Sequence, residues 1–258
     1  MHSRPSTAGR AGLSISIACL AVAQLPAAPD LAAQEILLPG DPSLRPERIS
    51  TGIDSTRVWR FSGDQGQMGP LAIQVVDRIE RDGAELLRIV FTLESDNGNM
   101  HDTSTVRLPS LAPVAHVSRP GAGATWRSLE IRYDEGSARG TVTPADSAPQ
   151  EFEAPMPGGA FDPSLSLVLL TAMPLAPGYE VRVPFFSHEK REVELHTYRV
   201  AGEQAMSFRG ETVDVWDVEI TFPDGRIVMA KVDQASGRVL RGETAVGDMR
   251  LVTMPAES

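Results

Sequence analysis

The chain has 258 residues, a formal net charge of −10 at pH 7, 41% hydrophobic residues and a single cysteine. Such acidity repels phosphate backbones and anionic lipid headgroups, which removes nucleic acid and charged membrane surfaces from the expected partners. One cysteine excludes an internal disulfide and a cysteine-based zinc site.

Residues 1–33 read as an export signal. Arg4 and Arg10 form a positive start, Leu13 to Leu25 an apolar run, and Ala27 to Ala33 a small-residue zone, the order of a secretory signal. The run is shorter than the roughly 20 residues a bilayer core requires, and Pro26, Pro29 and Asp30 close it, so no membrane span is expected. Cleavage fits after Ala23 or after Ala33; the second is preferred, because the first falls inside an apolar run that continues to Leu25. Cys19 lies in that run, and Ser16 stands where a lipid-bearing cysteine would need a leucine-like residue. The product is expected to be exported and soluble, periplasmic or extracellular, with a charge of about −11 that keeps it in solution. The expected organisation is 1–33 signal, 34–54 an extended proline-rich arm (Pro39, Pro42, Pro46), and 55–258 a single β domain.

From there the chain alternates apolar–polar runs with turn signals. Leu71, Ile73, Val75 and Ile79 alternate with Gln74, Arg78 and Glu80; Arg81-Asp82-Gly83 turns the chain into Leu87, Ile89, Phe91 and Leu93. Asn97-Gly98 is a tight-turn signal. Shorter strands are expected near 105–108, 114–118, 129–133 and 138–143, then at 181–186, 192–200, 213–222, 227–232 and 239–243. Period two with glycine-containing turns is the mark of antiparallel sheet. One segment differs. Asp162 and Pro163 suit a helix start, Pro174 a stop, and the residues between are apolar nearly all round, so a buried helix of about ten residues is expected. Leu167 to Leu170 would also suit a central strand.

About a dozen strands and one helix give a geometric constraint. A helix of about ten residues is roughly 15 Å long and cannot cover a dozen strands spaced nearly 5 Å apart. The sheet must bury its own apolar face. The expected fold is therefore mainly β: a large curved antiparallel sheet, barrel or half-barrel, with one short helix packed at its concave side or mouth. Such a sheet either encloses an apolar cavity or is filled by its side chains.

Catalytic motifs are sparse. Neither a G-x-S-x-G elbow nor a phosphate-binding glycine loop occurs. His188-Glu189-Lys190-Arg191-Glu192 misses the zinc-protease motif, because Glu192 stands where histidine is needed and the alternation that follows is a strand. Residues 96–102 gather oxygen donors but lack the order of a calcium loop, and Asn97-Gly98 already reads as a hairpin. Glu192, Glu194, His196 and Tyr198 share one strand face; it reads as a solvated outer face, with His196 an acid–base candidate if the carboxylates raise its pKa. Trp216, Val218, Ile220 and Phe222 form an apolar stripe, read as core or as cavity lining. No catalytic set, metal set or cofactor site is assigned. The residues nominated to line a ligand are Leu87, Ile89, Phe91, Leu93, Phe161, Trp216, Val218 and Ile220.

Phe161-Asp162-Pro163, Met173-Pro174-Leu175 and Pro177-Gly178-Tyr179 resemble an exported bacterial family known as domain of unknown function 3108. So do Leu111-Ala112-Pro113-Val114 with His116, Ile131-Arg132-Tyr133-Asp134, Val215-Trp216-Asp217-Val218, and Val232-Asp233 before Gly237-Arg238-Val239-Leu240. The similarity spans about Trp59 to Glu243 and departs at Val106, where the family usually carries an aromatic. The resemblance implies a curved antiparallel sheet around a helix, akin to the half-barrels of periplasmic lipoprotein carriers, and transfers no catalytic residues. Three function classes follow. The first is non-enzymatic binding of an apolar or amphipathic molecule. The second is an envelope scaffold with a filled core, acting through strand edges or the arm. The last is a hydrolase built on His196 with Glu192 or Glu194.

Overall fold

Fourteen strands form one antiparallel sheet: β1 Gly52–Ser62, β2 Gln65–Arg81, β3 Ala84–Glu94, β4 Met100–Arg107, β5 Ala112–Arg119, β6 Trp126–Asp134, β7 Ser137–Pro144, β8 Gln150–Pro155, β9 Glu180–Ser187, β10 Glu192–Phe208, β11 Glu211–Thr221, β12 Ile227–Asp233, β13 Val239–Val246 and β14 Met249–Pro255. The structure, a computed structural model, describes residues 35–94, 98–121 and 126–256. The expected signal, and Asp96 and Asn97 of the 96–102 loop, lie outside the described residues.

The order across the sheet is β8-β7-β6-β5-β4-β3-β2-β1-β14-β13-β12-β11-β10-β9. Two meanders run outward from a central β1–β14 pair, so every neighbour is sequence-adjacent except that pair. Tight turns set the register. Arg81 pairs with Ala84 across Asp82 and Gly83, both at positive φ (54° and 74°), the geometry that matches strand twist in a two-residue hairpin. Register shifts at Arg57/Trp59, Thr105/Val106, Trp126/Ser128, Val200/Gly202 and Lys231/Val232 add local bending.

The sheet curls until its two ends meet. β6 and β9 stand eleven places apart in the order, roughly 50 Å in a flat sheet. Yet the Tyr133 ring of β6 packs edge-on against Phe186 of β9, centroids 5.9 Å apart. Leu129, Ile131, Ala138, Ala154 and Phe186 share one apolar cluster across that seam. The seam is closed by side chains, since β8 and β9 are not hydrogen-bonded to each other. The free edge of β9 is covered by two short parallel bridges, Ile36 with Arg182 and Phe161 with Phe185, which occupies backbone groups that would otherwise invite another strand.

The main core fills the concave side. Val76, Leu87, Ile89 and Val106 from one meander face Val183, Phe185, Tyr198, Val218, Ile220 and Val232 from the other, with segment 161–173 between them. The 34–54 segment is docked where it is described: Leu37, Leu44 and Ile49 are buried in this core, a 3-10 turn spans Pro46–Arg48, and β1 begins at Gly52.

The expected ten-residue helix is broken in two. Asp162 caps a 3-10 turn, Pro163–Leu165, through its carboxylate and the Ser164 N–H (2.9 Å). Helix α1 then spans only Val168–Ala172 and ends before Pro174. The break has a hydrogen-bond cause. The Ser166 carbonyl, which a continuous helix would offer to Leu170, accepts from the buried Tyr198 hydroxyl at 3.0 Å, and the Leu170 N–H turns to Leu167 instead. The segment is apolar and buried as expected, apart from Leu167, which is 39% exposed.

Candidate functional site

Two features stand out on the concave side: an apolar cavity beneath α1 and a buried polar cluster at the seam. The cavity measures about 290 Å³ and lies between α1 and strands β1, β2, β3, β13 and β14. Val58, Ala72, Val76, Phe91, Leu93 and Leu240 line it from the sheet, and Leu167 and Val168 roof it. The exposed lining is mostly apolar, but nine of the twenty lining residues are polar, the most polar being Asp54, Gln74, Arg238 and Arg241. The Arg238 guanidinium is paired with Asp54, and that of Arg241 donates to Glu243 at 2.9 Å. A mostly apolar pocket with placed polar groups has the character of a small-molecule site, although its volume is at the small end of the usual range of about 300–1,000 Å³.

The nominated lining residues divide on this geometry. Phe91 and Leu93 line the cavity. Leu87, Ile89, Phe161, Val218 and Ile220 are fully buried in the packed core, and Trp216 is partly buried against it. Alternation identifies the inward face of a strand, but which inward residues meet α1 and which meet open space depends on where the sheet bends.

At the seam, Asp162 is fully buried. Its Oδ1 accepts from Ser104 Oγ (2.7 Å) and the Ser164 N–H (2.9 Å). Its Oδ2 accepts from the Tyr133 hydroxyl (2.8 Å) and lies 3.3 Å from His116 Nδ1 and 3.4 Å from His188 Nε2. Ser104 Oγ also sits 2.8 Å from His116 Nδ1 and accepts from or donates to Ser164 Oγ at 2.8 Å. Burial alone would raise the Asp162 pKa, but the charges and hydrogen bonds of His116 and then His188 outweigh it and hold the carboxyl well below its ordinary value. Burial alone would lower that of His116, and the Asp162 charge reverses this. The Tyr133 hydroxyl is pushed well up by burial and by Asp162.

Serine, histidine and aspartate are together here, yet they do not form a nucleophilic relay. That mechanism needs the serine on one ring nitrogen and the carboxylate on the other. Ser104 and Asp162 both approach Nδ1 of His116.

His196 differs from expectation. Its strand face is not solvated: His196 is 7% exposed and Tyr198 fully buried, because Tyr198 and Val200 of the same face belong to the concave core. Only the end of that face reaches water, where Glu194 pairs with Lys190. The His196 ring lies between Phe185 and Phe222, centroids 4.7 and 4.5 Å away, and its Nδ1 is buried without a partner. Burial outweighs the Glu194 charge and pushes the pKa down to about 4. His188 occupies the turn entering β10, as the sequence suggests, and borders a second, more polar cavity of about 330 Å³.

The seam cluster was not legible from spacing. Its members come from β4, β5, β6, the 161–164 turn and the β9–β10 turn. Three of them, His116, Tyr133 and Asp162, nevertheless fall inside the stretches on which the family resemblance rests.

The family comparison bears on this directly. Residues 67–253 match the family described as "Protein of unknown function (DUF3108)". The chain belongs to that family. The matched stretch contains the whole seam cluster and most of the cavity lining of this DUF3108 member. No curated protein matches the chain. Among solved structures it is similar to the hypothetical lipoprotein YmcC from Escherichia coli (12% identity, 78% of this chain and 86% of that one, TM-score 0.28). A DUF1329 family protein from Desulfovibrio piger is matched at 12% identity, over 82% of this chain and 86% of that one, also at TM-score 0.28. Among the described residues no helix is long and apolar enough to cross a membrane.

Proposed function

We propose that this protein is exported and binds the apolar part of an amphipathic molecule in the concave cavity beneath α1, without cofactor or chemistry. The cavity itself carries the reading: apolar walls from β1, β2 and β3 of one meander and β13 of the other, a roof from α1, and the guanidiniums of Arg238 and Arg241 in its lining. The driving force is burial of apolar surface, worth about 25 cal/mol per Å² removed from water. An acidic head group would be held at Arg238 or Arg241 only in exchange for Asp54 or Glu243, the carboxylates those guanidiniums pair with. The positive start and apolar run of residues 1–33 support export.

The test is native mass spectrometry of the chain from Gln34 after equilibration with envelope lipid extract. The expected result is a discrete adduct of one amphipathic molecule per chain. Only the unliganded mass, across extracts, would overturn the proposal.

A further inference from the structure

Two of the three donor pairs in the seam cluster stand at the spacing a tetrahedral metal site requires. Two metal–ligand bonds of about 2.0–2.1 Å at a tetrahedral angle place their donor atoms about 3.3–3.4 Å apart. Asp162 Oδ2 lies 3.3 Å from His116 Nδ1 and 3.4 Å from His188 Nε2. One ligand atom from each of His116, Asp162 and His188 lies within 4.8 Å of the others. Oδ1 of Asp162 is engaged by Ser104 and the Ser164 N–H, which orients the carboxylate so that Oδ2 is the oxygen aimed at both imidazoles. Tyr133 donates to that same oxygen and lies 2.9 Å from His188 Nε2, and Ser104 Oγ lies 2.8 Å from His116 Nδ1, so each nitrogen exchanges a hydroxyl partner for the metal when the ion enters.

From this arrangement we propose that His116, Asp162 and His188 form a binding site for a divalent zinc ion. Two imidazole nitrogens and one carboxylate oxygen suit zinc and do not suit magnesium or calcium, which take oxygen ligands. Three protein ligands leave a fourth position for a solvent oxygen, and His188, bordering the second cavity, gives the ion a way in. Both imidazoles bind as neutral rings, so any proton on His116 Nδ1 or His188 Nε2 passes to solvent as the metal enters.

The site is a structural clasp. His116 belongs to β5 and His188 follows β9, ten places away in the sheet order. Asp162 belongs to the segment that bridges to the edge of β9. An ion held by all three fastens the two ends of the curled sheet, where no strand pairing does so. The inference stands independently of the ligand cavity, from which these three residues are absent.

The experiment uses the chain from Gln34, stripped with chelator and titrated with zinc by calorimetry, with thermal unfolding recorded in parallel. One zinc per chain is expected, with a rise in Tm on saturation and none with magnesium or calcium. His188→Ala removes the most accessible ligand and should weaken zinc affinity at least tenfold while the metal-free protein folds; if that variant does not fold, His188→Gln carries the same comparison. Cobalt in place of zinc should give visible absorption that the variant lacks. Absence of saturable zinc binding by the folded wild type, or equal affinity in wild type and variant, would overturn the site.

Discussion

The Tyr133 hydroxyl lies 2.9 Å from Nε2 of His188, although their segments belong to strands at nearly opposite ends of the sheet. Both also meet the Asp162 carboxylate, so one polar group joins two edges that no backbone ladder connects. Replacing Tyr133 with Phe keeps the ring packed against Phe186 and deletes only the donor. The variant should lose about 1–3 kcal/mol, the cost of leaving buried polar partners unmet. Urea denaturation in the presence of chelator measures this, and a loss below the error of the extrapolation would mean that the seam rests on apolar packing alone.

Asp162→Ala should be more severe. It removes the charge that faces two imidazoles and the cap of the 163–165 turn together. Deleting one partner of a buried pair costs about 3–5 kcal/mol, and cap loss adds about 1 kcal/mol. Thermal unfolding should show a sharply lowered Tm or an unfolded chain, and a variant as stable as Tyr133→Phe would contradict the role assigned to the carboxylate.

His196 gives a pH dependence of definite sign. Its folded pKa, about 4, lies below the usual histidine value, so the unfolded chain takes up a proton first as pH falls. The contribution is fully present above about pH 6.5 and is lost as pH drops toward 4. His196→Phe keeps an aromatic ring between Phe185 and Phe222 and removes the unpartnered Nδ1. It should be stabilised by about 1 kcal/mol at neutral pH. The gap between variant and wild type should widen between pH 6.5 and 4, and parallel stability curves would refute the buried neutral ring.

The arginines of the cavity lining can be tested separately from its apolar walls. Arg238→Ala should weaken binding of a long-chain acid by about 1.5–3 kcal/mol, the range for a hydrogen bond to a charged group. Binding of the corresponding long-chain alcohol should be unchanged. Fluorescence displacement of an anionic amphipathic dye reads both, and equal losses for acid and alcohol would remove the head-group assignment.

Much of the fold was legible because most strands carry apolar residues at period two. Leu87 and Ile89 are buried, as their alternation in β3 requires. β1, β8 and β14 were not legible. β1 and β14 pair in the middle of the sheet, where β1 has no buried residue and β14 only Val252, and β8 has only Ala154 buried, so none shows an alternation to read. The broken helix was hidden for a different reason: Asp162, Pro163 and Pro174 mark its ends correctly, but the competing bond comes from Tyr198, 32 residues further on than Ser166. His196 was misplaced because two glutamates precede it on its strand face, whereas that face is decided by Tyr198 and by Phe222, just past the end of β11. The seam cluster depends on curvature, which arises from bulges and twist that period-two patterns do not record.

The measurement that bears most directly on the binding account is native mass spectrometry of wild type beside Ala72→Phe, a substitution that fills the cavity from the β2 wall. Both proteins would be equilibrated with the same envelope lipid extract. The account expects a one-to-one amphipathic adduct on wild type, and a variant that folds, melts no lower than about 2 °C below wild type, and carries no adduct. Identical adducts on both proteins, or none on either, would contradict it.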